Sequence, residues 1–411
     1  MSILARIFGR SEQRSKPTSW DLLRNDGWAT ESGSPVTAHS AENLSAVFGC
    51  VQVIAQTIAM LPLALYRIES NSRFEDRKHP VAQLFAGDIN EWQTAPEWFE
   101  MTTAHVLLRG NAYSEIVRDG RGAPVALVPF HPDSVAVERI PRTYRVRYHA
   151  TDLNGASRRL LPEEMLHIRD RSDDGIVGKS RLHRAREAFG TAIASERYAA
   201  NVFRNGASMS GFVSHPETIG SDAAKTLRES LQTLYTGTTN AGSIGVLEEG
   251  MTWHALSVSP LDAQALESRR FSTESICRLF GVPPQIVGDM SKSAYNNTTE
   301  ASRHFARFCI APLLVKLQAT LARSLLSTAD RATREFEFDM DELLRGDMLQ
   351  RWQAYRIMRE VGGANANEIR KWERINPRTD AGGDKYFEPR NMQPEQTGAP
   401  KDREAGDGNQ D

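Results

Sequence analysis

The chain has 411 residues and a mass of 45.8 kDa, room for about two to four compact units of ordinary domain size. Hydrophobic residues make up 40% and charged residues 25%, values that exclude wholesale disorder, a collagen-like repeat and a coiled coil. A net charge of −2 excludes a chain wrapped in nucleic acid along its whole length, while leaving room for a local basic surface.

Residues 1–39 are rich in Ser, Thr, Gly and Arg without sustained periodicity and read as a flexible arm. Leu44, Val47, Phe48, Val51, Ile54 and Ile58 then recur at helical spacing until Pro62 stops the helix, and a strand follows from Leu63 to Ile68. Thr94-Ala-Pro-Glu97 is a capping box with Pro in the first turn, which opens a helix running to Gly110. The period next changes to two. Strands are expected at 112–118 and 125–130, joined by Asp119-Gly120, and again at Ser134–Glu138, Tyr144–Tyr148 and Met165–Arg169.

Asp173-Asp-Gly-Ile-Val-Gly178 is a turn leading into a long helix, Ser180 to Asn205, with Asp170, Asp173 and Asp174 expected as its N-terminal caps. Residues 211–258 alternate strand, helix, Gly-rich loop and two strands, an α/β insert. A helix from Asp262 to Phe280 is closed by Gly281-Val-Pro-Pro284 and followed by a polar loop, Gly288–Asn297. The next helix, Thr298 to Ser327, contains Pro312, where the missing N–H should bend it. A strand at Glu335–Asp339, helices at Arg345–Val361 and Asn367–Arg374, and a disordered tail over 391–411 complete the chain.

Most enzyme chemistry that a sequence can reveal is missing. Gly175-Ile-Val-Gly178-Lys179-Ser180 ends like a phosphate-binding loop, but the first glycine such a loop needs is Asp173, a carboxylate where an anion would sit. There is no HExxH, no paired Cys/His cluster and no GxSxG elbow, so no catalytic residue, metal or cofactor is expected. Cys50, Cys277 and Cys309 form no disulfide framework, which fits a reducing cytosol. The longest apolar run falls short of the about 18 residues of a membrane span, and no membrane partner is expected.

The charge pattern is more informative. Forty-one arginines stand against nine lysines, a bias that suits bidentate phosphate contacts, ion-paired interfaces and a GC-rich genome alike. Between Gly178 and Asn205, Lys179, Arg181, Arg184, Arg186, Arg197 and Arg204 outnumber Glu187 and Glu196, a local charge of +4. The Thr298–Ser327 helix carries +3. Either face is a solvated, ion-paired surface or one turned towards a polyanion, and sequence-independent phosphate contacts would let DNA slide.

Several stretches in fixed order resemble the portal proteins of tailed bacteriophages, most closely those of long-tailed phages with a lambdoid-type head. They are Leu108-Arg-Gly-Asn-Ala-Tyr113, Asp173 to Gly178, Phe203-Arg-Asn-Gly206, Gly237 to Gly242, Val246-Leu-Glu-Glu-Gly250, Phe280-Gly-Val-Pro-Pro-Gln-Ile-Val-Gly288 and Tyr295-Asn-Asn. The resemblance implies an α+β, portal-type ring subunit with a mixed α/β wing, long stem helices, a small α/β clip insert and a helical C-terminal crown. It places the wing at 40–177, stem helices at 178–205 and 260–281, the clip at 206–259 and a tunnel loop at 282–297. A long kinked helix and a wing return strand follow at 298–340, the crown at 341–390 and the tail at 391–411.

The same resemblance implies a ring of twelve subunits at one capsid vertex, through which double-stranded DNA is packaged and ejected. Partners would be the terminase large subunit, the major capsid and scaffolding proteins and a head-completion or adaptor protein. The expected location is the virion, after assembly in the host bacterial cytoplasm. Ser291, Lys292, Ser293, Tyr295, Asn296 and Asn297 would face DNA from the tunnel loop, with Lys179, Arg184 and Arg186 as candidate stem cations. The competing readings are a DNA-binding adaptor and a packaging-associated nuclease or NTPase.

Overall fold

A computed structural model describes residues 27–69, 72–152, 155–204, 211–215, 220–235, 250–255, 272–289, 297–340, 343, 348–373 and 375–387. The chain divides into two units, Met1–Met340 and Asp341–Asp411.

In the first unit, residues 27–39 are structured, contrary to the flexible arm expected over 1–39, of which residues 1–26 lie outside the described residues. Trp28 and Val36 exchange backbone hydrogen bonds of 2.9 and 3.0 Å, and Val36 is fully buried. Thr37 and Ser40 form a capping box for α1 (Ala38–Glu42). The apolar repeat gives α2 (Ser45–Met60), which buries Val47, Cys50, Val51, Ile54 and Ile58 and ends at Pro62. Strands β1 (Leu63–Glu69) and β2 (Ser72–Glu75) form a hairpin, followed by α3 (Pro80–Ala86), β3 (Asp88–Asn90) and β4 (Gln93–Thr94). The Thr94/Glu97 capping box opens α4 (Ala95–Arg109).

Two antiparallel sheets come next. One has the order β10-β5-β6, from β5 (Asn111–Arg118), β6 (Pro124–Phe130) and β10 (Met165–Arg169). The other is the meander of β7 (Val135–Arg139), β8 (Val146–Thr151) and β9 (Ser157–Leu160). Tyr113, Phe130 and Met165 of the first sheet pack with Val135, Val137, Tyr148 and Leu160 of the second, a core built by period-two alternation.

The expected single helix from Ser180 is two: α5 (Arg181–Arg184) and α6 (Arg186–Arg204), separated at Ala185, which leaves helical geometry with φ −115° and ψ 30°. Ser180, not the preceding aspartates, is the N-cap, accepting from the His183 N–H at 3.2 Å. Of the α/β insert, β11 (Gly211–Ser214) pairs antiparallel with β12 (Thr252–Ala255), and α7 (Ser221–Tyr235) lies between them in sequence. The expected strand at 243–247 lies outside the described residues, as does most of the helix from Asp262, of which 272–280 is α8.

After a 3₁₀ turn at Pro284–Val287, α9 (Asn297–His304) runs through a π-helical turn, Phe305–Ile310, into α10 (Ala311–Leu325). The expected bend at Pro312 thus takes the form of a π turn just before it. The Ala311 N–H bonds five residues back to Ala306 O, one residue more than an α-helix would. Glu300–Leu325 is long and apolar enough to cross a bilayer by length and average composition, although Arg307, Lys316 and Arg323 keep each uninterrupted apolar run in it short. Its apolar face, including Phe305, Ile310, Leu314, Leu321 and Leu325, is buried within the protein, the pattern of a core helix. Finally α11 (Thr328–Thr333) leads to β13 (Arg334–Phe338), which returns to pair with β1, Leu65 opposite Phe336. Phe99 of α4 meets Phe338 edge-on at 5.5 Å, so this last strand is packed as well as paired.

The second unit contains α12 (Met348–Glu360) and α13 (Ala366–Trp372). Asn365 and Glu368 cap α13 reciprocally, and Glu373 accepts from Tyr355 Oη at 2.9 Å and pairs with Arg351 at 2.7 Å.

Candidate functional site

Two of the stretches that carry the resemblance, 108–113 and 173–178, meet in space. α4 stops at Gly110 in the left-handed region, φ +80°, and a Cβ there would lie 2.5 Å from Ser180 N. A Cβ on Gly178 would lie 2.1 Å from Gly110 O. Only glycine permits this approach of backbone to backbone. Asn111 then joins the two segments with its side chain. Its Nδ2 donates to Gly178 O and its Oδ1 accepts from Gly178 N, both at 2.8 Å. The same Oδ1 accepts from His167 Nε2 at 2.9 Å, and His167 Nδ1 accepts from Tyr148 Oη at 3.2 Å, which fixes the imidazole tautomer. Burial, with Arg169 and Arg323 nearby, holds His167 neutral, well below its ordinary value.

The turn before Gly178 is organised by Asp174, whose Oδ1 accepts from the Ile176 and Val177 N–H groups at 2.8 and 3.0 Å. Asp173 and Asp170 have other uses. Lys179 Nζ lies 2.7 Å and Arg184 Nη2 2.6 Å from Asp173, and these two cations hold its carboxyl down at about 2. Arg181 pairs with Asp170 at 3.2 Å, donates to Phe280 O at 2.8 Å, and lies over the Phe280 ring. Arg186 lies 3.4 Å from Glu187. Each of the candidate stem cations Lys179, Arg184 and Arg186 therefore has a carboxylate partner within its own subunit. Their side chains keep 47%, 25% and 46% of their surface exposed, so each can still meet a ligand.

The foot of the expected tunnel loop is firmly set. Phe280 is buried against Phe189 of α6 at 6.2 Å, so the two helices flanking the insert are in contact at this end. Gly281 and Gly288 adopt φ of +74° and +92°, and Val287 packs on Gly49 of α2. An open groove of about 900 Å³ adjoins this foot, lined among others by Arg278, Pro283, Arg303, Arg307 and Phe308. Ser291, Lys292, Ser293, Tyr295 and Asn296 lie outside the described residues; Asn297 is the first residue of α9.

Among the described residues no group of three or more His, Cys, Asp and Glu could hold a metal. The cysteines are all free and buried, with Cys50 and Cys277 Sγ 3.9 Å apart. Sequence reasoning assigned no role to Asn111, expected Asp170 only as a helix cap and counted Arg181 only among the cations of the +4 helix. The one local signal was a glycine and an asparagine directly after a helix, which marks a C-cap but not its distant partner.

The family described as phage portal protein matches residues 45–373. The chain is 29% identical over 421 residues to the probable portal protein of Streptomyces phage phiC31, covering 95% of this chain and 89% of that protein. It is 28% identical over 389 residues to the portal protein of Enterobacteria phage HK97, covering 87% and 91%. Among solved structures it is similar to a chain in the virion of a native gene transfer agent particle, with TM-score 0.57 and 26% identity over 84% of this chain and 95% of that one. A chain in the neck of the native gene transfer agent particle, treated with C12 symmetry, gives TM-score 0.56 and 25% identity, covering 83% and 92%. The crystal structure of an HK97 family phage portal protein from Corynebacterium diphtheriae shares the fold, with TM-score 0.56 and 17% identity over 77% and 97%.

Proposed function

The chain belongs to the phage portal protein family, and on that premise we propose that twelve copies close into a ring at one vertex of a phage head, through which double-stranded DNA enters and leaves. The carrying observation is the contact of α6 with α8 at Phe189 and Phe280, at the end of the two helices remote from the α/β insert that lies between them in sequence. A stem of paired helices bearing a clip needs this arrangement. The insert would dock the terminase large subunit during packaging and a head-completion or adaptor protein afterwards. The body, over 40–177 and 298–340, would meet the major capsid and scaffolding proteins. Assembly would take place in the host cytoplasm before the ring joins the virion.

The charge pattern suits such a channel. Asp173 and Asp170 draw down the cations at the foot of the first stem helix, which leaves a duplex less firmly held than a bare +4 helix would. Ser291, Lys292, Ser293, Tyr295, Asn296 and Asn297 would supply the contacts of the tunnel loop, and Lys179, Arg184 and Arg186 those of the stem. The role calls for no catalytic group, metal or cofactor.

Electron microscopy of the purified protein should show a ring with an axial hole, and its mass should be near twelve times 45.8 kDa. A particle of one or two chains under every assembly condition would overturn the proposal. The loop is tested separately: Lys292→Ala with Tyr295→Ala should impair DNA packaging or retention in intact rings. Unchanged packaging in that variant removes the loop's assigned role.

A further inference from the structure

The hairpin joining β7 to β8 is strongly cationic. Residues 139–147, Arg-Ile-Pro-Arg-Thr-Tyr-Arg-Val-Arg, contain four arginines and no acid. Its tip is well ordered by hydrogen bonds: Ile140 N–H to Arg145 O at 3.0 Å, Thr143 Oγ1 to Ile140 O at 3.1 Å, and Arg145 N–H to Thr143 Oγ1 at 3.2 Å. Tyr144, next to the turn, is 98% exposed, a large aromatic ring with almost nothing against it. Arg142 has φ +62° and is the only non-glycine residue in the left-handed region among the described residues. A β-turn normally gives that position to Gly, Asn or Asp. An arginine held there at a conformational cost points to a use for its side chain.

The rest of the sheet extends the cationic surface. Arg147 stands opposite Glu138, and Arg159 opposite His149, on the neighbouring strands. Glu138 is committed to His149 at 2.7 Å, with Arg147 at 3.9 Å. Among the described residues, Arg142 and Arg159 have no carboxylate within ion-pair distance, while Arg145 pairs with Glu163 at 2.5 Å. Arg and Tyr also serve as anchors in protein–protein interfaces, but there they sit within an apolar core, whereas residues 141–145 are all exposed and offer no apolar surround beyond Pro141. Protein–DNA interfaces have the second character, and a two-stranded ribbon fits the major groove of a duplex.

We infer that the β7–β8 hairpin is a second, external DNA-binding element, in which Arg142 at its tip and Arg147 and Arg159 on the sheet face opposite Val137 and Tyr148 contact the phosphates of a duplex and Tyr144 packs on its backbone or groove. It rests on the portal reading for its ligand, since that function supplies a densely held polyanion. It differs from that reading in placing a DNA contact on the β7-β8-β9 sheet rather than on the tunnel loop or stem helices. The contact is sequence-independent and weakens with salt.

Covalently closed circular duplex DNA gives a clean test, because it cannot thread a closed ring and so reports only external sites. Purified rings should bind relaxed circular DNA in a gel shift, with affinity falling as salt rises. Arg142→Glu with Arg159→Glu and Tyr144→Ala should lower that affinity by about tenfold or more, with rings unchanged by electron microscopy. Arg142→Gly serves as the second variant. It relieves the left-handed backbone, so its thermal stability should equal or exceed that of the parent protein while its affinity for circular DNA falls. Failure of parent rings to bind circular DNA, binding only to an acidic protein, or a charge-reversed variant within twofold of the parent overturns the inference. Absence of rings in the micrographs instead counts against the portal reading, and the two failures are read from different measurements.

Discussion

Asn111 shows how much one side chain can hold. Its amide stands in for a strand neighbour, bonding both the N–H and the C=O of Gly178 while receiving the His167 ring. Replacing it with Ala leaves those buried groups without partners, at a cost of about 3 kcal/mol. Gly178→Ala should cost at least as much, because its new methyl group would meet Gly110 O and Asp170 N, which are backbone atoms and cannot swing away. Chemical denaturation of the subunit checks both; a loss below about 1 kcal/mol in either variant would contradict this account. A pH effect is expected at His105, where burial, then His131 and Arg109, push the imidazole down to about 4 from an ordinary 6.5. The folded residue stays neutral where the unfolded chain takes up a proton. Its contribution is therefore complete above about pH 6.5 and is lost as pH falls towards 4, on the order of 3 kcal/mol. His105→Gln should show a smaller drop in melting temperature between pH 7 and pH 4.5 than the parent protein; equal drops would rule out this origin.

At the scale of elements, the sequence is most readable where periodicity and capping agree. α2, α4, β5, β6 and β10 fall within a residue or two of expectation because their apolar repeats coincide with Pro62, the Thr94/Glu97 box and the Asp119-Gly120 turn. The segment from Trp28 to Val36 was not readable. Its few apolar residues have no period of their own, and its order comes from α5 and α6: Trp28 sits edge-on to His183 at 4.9 Å, Glu31 N–H donates to Glu187, and Thr30 lies over Gly190. Trp28→Ala with Val36→Ala should accordingly lower stability by about 3 kcal/mol and loosen α6, read as faster amide exchange there. Unaltered exchange in α6 would show that this segment is not a brace for it. The π turn has a similar cause. Pro312 cannot donate and its ring crowds the preceding turn, and the helix responds by widening one turn upstream rather than by breaking.

Across the whole molecule, the hardest feature to read from sequence was the pairing of β13 with β1, since no local pattern links strands so far apart in the chain. The site shares this limit: the residues at 108–113 and 173–178 are recognisable one stretch at a time, while their junction through Asn111 exists only after folding. Because β13 supplies one edge of the β13-β1-β2 sheet, a fragment ending at Met340 should unfold in one cooperative thermal transition. One ending at Thr333, without β13, should lose that transition. Equal melting curves would show that the return strand is dispensable. Synthesis adds a constraint in time. Leu63 pairs with Phe338, and at a translation rate of about 5–20 residues per second the second strand leaves the ribosome about 14–55 s after the first. Throughout that interval β1 has one edge without a partner, a template for any passing strand. A crowd of nascent subunits made to assemble with one another is thus protected late, and conditions that slow elongation should favour aggregation over rings.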